Sequence, residues 1–310
     1  MATDRRVIHT AQALVDVVVE VPALPERGQN VMAASMTRYA GGAVTTLLAA
    51  ARSGASAVHA GVVGTGPNGD LVREVLAADG VVVATPPLPD LDTGVCVVLV
   101  EPTAERTFVT TLGAERRLTV AALDRCAPRP GDLVCVSGYS LLEPTRDPLL
   151  AWLEALPVGV LVVVDPGAVF ASLPAEVRDR VLALTSVWTG NAEEAAALTG
   201  AAEIERAAEL VAARLPDDGV AVVRDGARGC VVRAGGRTVV VPGFPQHAVD
   251  TNGAGDTHTG TLVAEVARGA GWVEAARRAN AAGAITVTRR GPSTAPDRGE
   301  IDAFLANRPG

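Results

Sequence analysis

Lysine is absent from the 310-residue chain, so all 27 of its basic side chains are arginines. The absence removes several mechanisms at once: a lysine Schiff base, a pyridoxal-phosphate anchor and the lysine of a Walker-type phosphate loop. Alanine, glycine, arginine and valine are abundant throughout, so the bias reads as genomic base composition and carries no functional meaning. Cysteine is scarce as well. Cys96, Cys126, Cys135 and Cys230 lie far apart with no C-x-x-C pair and no histidine at ligand spacing, which argues against zinc and for buried free thiols in a reducing compartment. No run of basic residues occurs and the net charge is −8, so a nucleic-acid surface is not expected, although a local cluster would suffice for a small anion. Long apolar runs are missing too. The segment Val158–Val164 has the length of a strand and cannot span a bilayer, and the first residues lack the continuous apolar core of a signal peptide. No membrane partner is expected, and the expected compartment is the cytoplasm.

What remains is a chain with 48% hydrophobic residues, enough for a large core, and with no repeat or linker to divide it. A single α/β domain over residues 1–310 is expected. From about His59 onward, short apolar runs alternate with helix-like segments. Leu133–Val136, Val160–Val164 and Val220–Val223 read as buried strands, and Leu149–Leu156, Ala175–Leu184 and Ala202–Leu215 as crossovers. Right-handed connections make this a doubly wound, mainly parallel sheet flanked by helices. Two segments, Val15–Met36 and Thr93–Thr111, break the rhythm and read as β-structure with turns.

The richest chemistry lies in Asp250-Thr251-Asn252-Gly253-Ala254-Gly255-Asp256. Gly253 and Gly255 let backbone N–H groups converge without Cβ obstruction, and the helical composition of Gly260–Ala267 puts a positive helix end near the turn. Such a cradle suits charge developing on a transferring phosphoryl group. Asp256 beside it is placed to accept a proton from an attacking alcohol, the alternative being a helix cap.

With an apolar strand-like run at Arg237–Val241 before it and a helix after it, this segment resembles the C-terminal signature D-T-x-G-A-G-D of the ribokinase-like (PfkB) carbohydrate kinases. Weaker motifs follow in the same order over nearly the whole chain: Asp16, Pro25 and Gly28, Gly41-Gly42, Gly61 to Gly64, Thr93-Gly94, Glu105-Arg106-Thr107, and Asn191 to Glu194 with Leu198-Thr199-Gly200. The resemblance implies a ribokinase-like fold in which the two irregular segments, about 15–36 and 93–111, form a small β-sheet lid over the sugar site, and it allows a homodimer through that lid. It implies ATP-dependent phosphorylation of a hydroxymethyl group on a small sugar, sugar acid or related polyol. The motif needs no phosphate-loop lysine, in keeping with the composition.

Carried over residue by residue, the resemblance makes Asp256 the catalytic base and gives the backbone amides of Asn252, Gly253, Ala254 and Gly255 to the transferring phosphoryl. Asp250 and the Asn252 carbonyl would hold a monovalent cation such as K⁺, unless Asp250 is only a strand-end residue. Asn191 and Glu194 share one face of a helical first turn, where Glu194 would organise the waters of Mg²⁺ on ATP or else cap a solvated helix start. Arg224, Gly226 and Gly229 occupy the nucleotide loop, with arginine where threonine is usual, free either to contact phosphate or to fill space. Asn280 takes the adenine side, and Gly291-Pro292 closes the last turn. Asp16, Gly41, Gly42 and Glu143 fall on the sugar side. The asparagine usual after the glycine pair is replaced, Thr46 being the selected counterpart and Thr45 the fallback. His258 stands where phenylalanine is usual and is expected to pack. A nucleoside kinase of this fold would want an aromatic slot that 3% aromatic content hardly supplies, and a non-catalytic sugar or nucleotide sensor would have little need of Asp256. No G-x-G-x-x-G follows the first strand, which argues against a dinucleotide oxidoreductase.

Overall fold

The structure is a computed structural model that describes residues 5–103 and 105–308; residues 1–4, 104, 309 and 310 lie outside the described residues. Its major sheet runs, edge to edge, β13 (Arg237–Pro242), β12 (Gly229–Ala234), β11 (Val220–Arg224), β10 (Val187–Asn191), β9 (Leu161–Asp165), β8 (Leu133–Ser137), β1 (Arg6–His9), β4 (Ser56–His59) and β5 (Val82–Val83). The strands from β5 to β11 pair in parallel, and β12 and β13 add an antiparallel edge. The expected mainly parallel, doubly wound sheet is thus present. Its central strands are valine-rich because both faces are buried. Alternate residues go to opposite cores: Val134, Val136, Val162 and Val164 pack under helices Arg146–Glu154, Ala175–Leu184, Ala192–Thr199 and Ile204–Ala212, while Leu133, Cys135 and Val163 pack under Ala254–Ala267 and Trp272–Thr286. All four cysteines are buried and unpaired.

The second sheet has the order β3 (Ser35–Gly42), β2 (Ala13–Glu20), β6 (Val95–Val100) and β7 (Arg106–Thr110). It comes from the two irregular segments, but β3 runs on past Met36, so Gly41 and Gly42 end a strand of this sheet and lead into helix Ala43–Arg52. In register, Asp16 pairs with Tyr39 and Cys96, and Glu20 with Ser35 and Val100. Asp16, Val18 and Glu20 therefore share one face of the lid. Buried Glu115 fixes the lid's root by accepting the amides of Gly94 and Gly113, both at 2.8 Å.

One helix contact sets the site. Gly260 of helix Ala254–Ala267 lies against helix Ala43–Arg52 so closely that a Cβ there would stand 2.3 Å from the Thr46 carbonyl oxygen. That approach brings Thr46 alongside Asp256, one helical turn before Gly260.

Candidate active site

The glycine turn leads directly into helix Ala254–Ala267, with Gly253 as N-cap at φ 75°. A Cβ at Gly253 would meet the Pro292 carbonyl oxygen at 2.5 Å, so both conformation and space demand glycine. Among the described residues the amides of Gly253, Gly255 and Asp256 have no hydrogen-bond partner, and they stand at the positive end of the helix. Two of the expected amides are not free. Asn252 donates to Asp250 Oδ1 at 2.9 Å and Ala254 to the Thr251 carbonyl at 3.3 Å, so the open donor set moves toward the helix and includes Asp256's own amide.

Asp256 is half-buried in the first helical turn, with the Thr46 hydroxyl donating to its Oδ1 at 3.4 Å. Burial raises its pKa to about 6; the Asp165 carboxylate and, more weakly, Asp16 push the same way, against Arg224 and Thr46. Asp16 is itself half-buried, accepts no hydrogen bond among the described residues, and is raised by burial to about 6. Gly41 makes room for it, since a Cβ there would lie 2.1 Å from Asp16 Oδ2; Gly42, at φ 63°, passes the Gln12 carbonyl too closely for a side chain. Thr45 turns its methyl to the underside of Gly253, whereas Thr46 reaches Asp256. Glu143 does not join this group: it is exposed and its carboxylate pairs with Arg146 one helical turn away.

The carboxyl ends of β9, β10 and β11 carry Asp165, Asn191 and Arg224, in the position where open α/β sheets place their ligands. Asn191 and Glu194 form a capping box: Oδ1 of Asn191 accepts from Glu194 N, and Glu194 Oε2 accepts from Asn191 N, each at 2.8 Å. Glu194 Oε1 remains without a hydrogen bond among the described residues. Burial raises the Glu194 pKa, helped by Asp165 and opposed by the Asn191 amide and Arg224. Arg224 lines the cleft beside the glycine turn, and protein partners anchor its guanidinium there. Its Nη1 donates to Asp165 Oδ2 at 3.1 Å, Thr189 Oγ1 at 3.0 Å and Thr259 Oγ1 at 2.9 Å, and its Nη2 lies 3.8 Å from Glu194 Oε2. It is a cationic floor shared by three carboxylates, because Asp256 also feels its charge.

A cleft of about 380 Å³ opens beside it, lined in part by Gly226, Phe244, Gly255, His258, Asn280 and Ala284. Gly229 stands at φ 106° with no space for a Cβ, which would lie 2.2 Å from the Val241 carbonyl oxygen; Gly226, at φ 55°, is needed for conformation alone. Asn280 lines the cleft but its polar atoms are committed to the fold. Its Nδ2 donates to the carbonyls of Val241 and Pro242, so its Oδ1 accepts from His258 Nε2 at 3.1 Å. His258 therefore packs, as expected, and burial with Arg224 nearby pushes its pKa down to about 3.

The Asp250 carboxylate, expected with the Asn252 carbonyl to hold a monovalent cation, already has protein partners at both oxygens. Asp250 Oδ1 accepts from Arg106 Nη2 at 2.7 Å and from Asn252 N, and Oδ2 accepts from Gly291 N at 3.0 Å. A guanidinium already holds the carboxylate, and a second cation there would be repelled. Asp165, Thr259 and Tyr139 were not legible in the sequence. Only the sheet order brings Asp165 beside Arg224; a carboxylate ending a buried valine run was the available signal. Burial raises the Tyr139 pKa, with Glu194, Asp165, Cys96 and Asp256 adding to it.

A glycine turn with open amides beside a half-buried carboxylate, at the carboxyl edge of a doubly wound sheet capped by a four-stranded lid, is the arrangement of a ribokinase-like phosphotransferase. The family model described as pfkB family carbohydrate kinase matches residues 5–298, and the chain belongs to that family. An uncharacterised sugar kinase of Escherichia coli strain K12, YegV, is 31% identical, the match covering 97% of this chain and 94% of that protein. The ATP-dependent ribose-1-phosphate kinase of Halopiger xanaduensis is 30% identical over 98% of this chain and 99% of its own. Among solved structures, fructokinase of Vibrio cholerae bound to fructose, ADP and calcium aligns with a TM-score of 0.77 at 25% identity, over 97% of this chain and 99% of that one. The protein is a sugar kinase. No helix among the described residues is long and apolar enough to cross a membrane.

Proposed function

We propose that this kinase transfers the γ-phosphoryl group of ATP to a hydroxymethyl group of a small sugar, sugar acid or related polyol, with Asp256 as the base. The observation that carries the reading is that two half-buried carboxylates, Asp256 and Asp16, the second near enough to raise the charge cost of the first, stand with three open backbone amides. Asp256 takes the hydroxyl proton; a pKa near 6 leaves it ionised at neutral pH yet basic enough for the transfer. Asp16, with no hydrogen-bond partner among the described residues, accepts hydrogen bonds from neighbouring sugar hydroxyls. The amides of Gly253, Gly255 and Asp256 receive the charge that develops on the transferring group. Thr46 holds the Asp256 carboxylate in place.

The nucleotide lies in the cleft beside Gly226, Gly229 and Asn280. Among the described residues no three histidine, cysteine or acidic groups gather to hold a metal directly. The Glu194 carboxylate, raised in pKa by burial and then by Asp165 and with its Oε1 free of hydrogen bonds among the described residues, nevertheless fits a hydrated Mg²⁺ that arrives with ATP. Such an ion supplies charge neutralisation to the phosphates. The outer lid face, with Val17, Val19 and Leu99 half-buried and Met36 and Val109 65% and 59% exposed, supports a homodimer through the lid.

The test is ADP release from ATP and Mg²⁺ across a panel of ketoses, pentoses, sugar acids, sugar phosphates and nucleosides, with Asp256→Asn as control. A sugar or polyol that releases ADP only with the intact aspartate supports the reading. A panel in which nucleosides alone turn over would replace it with the nucleoside-kinase alternative, and binding without turnover by the sensor.

A further inference from the structure

The motif Glu105-Arg106-Thr107 has no part in the chemistry described so far, yet Arg106 reaches the phosphoryl-binding turn. It starts β7 on the lid, and its Nη2 donates at 2.7 Å to Oδ1 of Asp250, the first residue of the glycine motif and 144 positions away. The same oxygen accepts the Asn252 amide, and Oδ2 accepts the Gly291 amide, so one carboxylate ties together the turn, the Gly291 corner and the lid. Other contacts join lid and body at this corner. The body's Arg290 pairs with the lid's Glu20 at 3.5 Å, Ser293 Oγ donates to the Ala40 carbonyl at 3.3 Å, and Tyr39 lies over Gly291, where a Cβ would stand 2.9 Å from its ring. Arg106, Asp250, Glu20, Arg290, Tyr39 and Gly291 all line a cavity of about 310 Å³ under the lid.

An ionised Asp250 so near the open amides of Gly253, Gly255 and Asp256 opposes the arrival of a phosphoryl group unless a positive charge offsets it. We propose that Arg106 is that charge: a positioning residue, built into the lid, that neutralises Asp250 and aligns the glycine turn, in the place where a bound monovalent cation would otherwise be required. The inference rests on the assignment of the turn to phosphoryl transfer, and two consequences follow. The native enzyme is indifferent to K⁺, and removal of the guanidinium creates a cation requirement that the native chain lacks.

Wild type, Arg106→Gln, Arg106→Lys and the double variant Arg106→Gln/Asp250→Asn are compared in KCl and in tetramethylammonium chloride of equal ionic strength. Turnover of the wild type is expected to be equal in both salts. Arg106→Gln is expected to lose on the order of tenfold in kcat in tetramethylammonium, to recover several-fold in KCl or guanidinium chloride, and to be rescued by Arg106→Lys. Thermal denaturation without substrates gives an independent readout: KCl raises the Tm of Arg106→Gln over that in tetramethylammonium, and neither the wild type nor the double variant responds. Strong activation or stabilisation of the wild type by K⁺ would overturn the proposal, as would an Arg106→Gln variant with normal kcat and no cation response. Failure of every sugar to turn over would sink the functional reading instead, and the denaturation comparison would still decide whether Arg106 stands in for a cation.

Discussion

Replacing Asp256 by Asn tests both the chemistry and the electrostatics of the site. The folded-state pKa of Asp256 is raised from 3.8 to about 6, chiefly by burial and then by Asp165, so at neutral pH the native protein holds an ionised carboxylate in surroundings that disfavour it. A shift of that size corresponds to at most about 3 kcal/mol. The carboxylate is only half-buried, and solvent screening reduces the effect to roughly 1–2 kcal/mol. The sign follows from proton uptake. Between the unfolded and folded pKa values the native state binds more protons, so the wild type loses stability as pH rises from about 4 to about 6 and stays at the lower level above. The carboxamide of the variant carries no charge to desolvate. Asp256→Asn should therefore be more stable than wild type at pH 8 by roughly 1–2 kcal/mol, a few degrees in Tm, and the gap should close near pH 4. The same variant should bind ATP normally and lose several powers of ten in kcat. Urea denaturation at both pH values, alongside steady-state ADP release, makes the comparison. A variant no more stable at pH 8 than the wild type, or a gap that persists at pH 4, would refute the electrostatic account; near-normal kcat would refute the assignment of the base.

In the wild type, kcat/KM should fall as pH drops through about 6, because protonation removes the base, and a profile flat down to pH 4.5 would contradict this. Glu194→Gln keeps an oxygen for the Asn191 amide and so should fold, while raising the Mg²⁺ concentration needed for half-maximal rate and lowering turnover; an unchanged magnesium titration would return Glu194 to a capping role alone. Asp16→Ala should weaken sugar binding by tenfold or more and leave ATP affinity intact, measured for each ligand by calorimetry. Gly41→Ala should mimic it in part, since its Cβ would fall 2.1 Å from Asp16 Oδ2 and displace the carboxylate; unaltered sugar affinity would show that Asp16 is not held by that approach.

Contiguous sequence by itself determined the α/β rhythm, the glycine turn with Asp256 and the helix start at Asn191 and Glu194. These are local backbone matters. A left-handed turn, a helix start or a valine-rich buried strand depends on neighbouring residues and can be read where they stand. Motif order along the chain also singled out Asp16 and Thr46, which the structure sets against Gly41 and Asp256 respectively. What sequence could not reveal is which charges meet. Arg224 finds Asp165, 59 residues away, because β9, β10 and β11 lie side by side; Thr46 finds Asp256 across 210 residues because Gly260 lets two helices touch; and Arg106 finds Asp250 because the lid folds down over the turn. Glu143 was misplaced for the same reason, its motif fitting the order of the chain while its side chain turned outward to Arg146. The amides of Asn252 and Ala254 have acceptors of their own, Asp250 Oδ1 and the Thr251 carbonyl, which take shape only when the turn closes. An ion pair between distant residues has no local signature, since its energy depends on separation and solvent exposure, and both are properties of the packed structure alone.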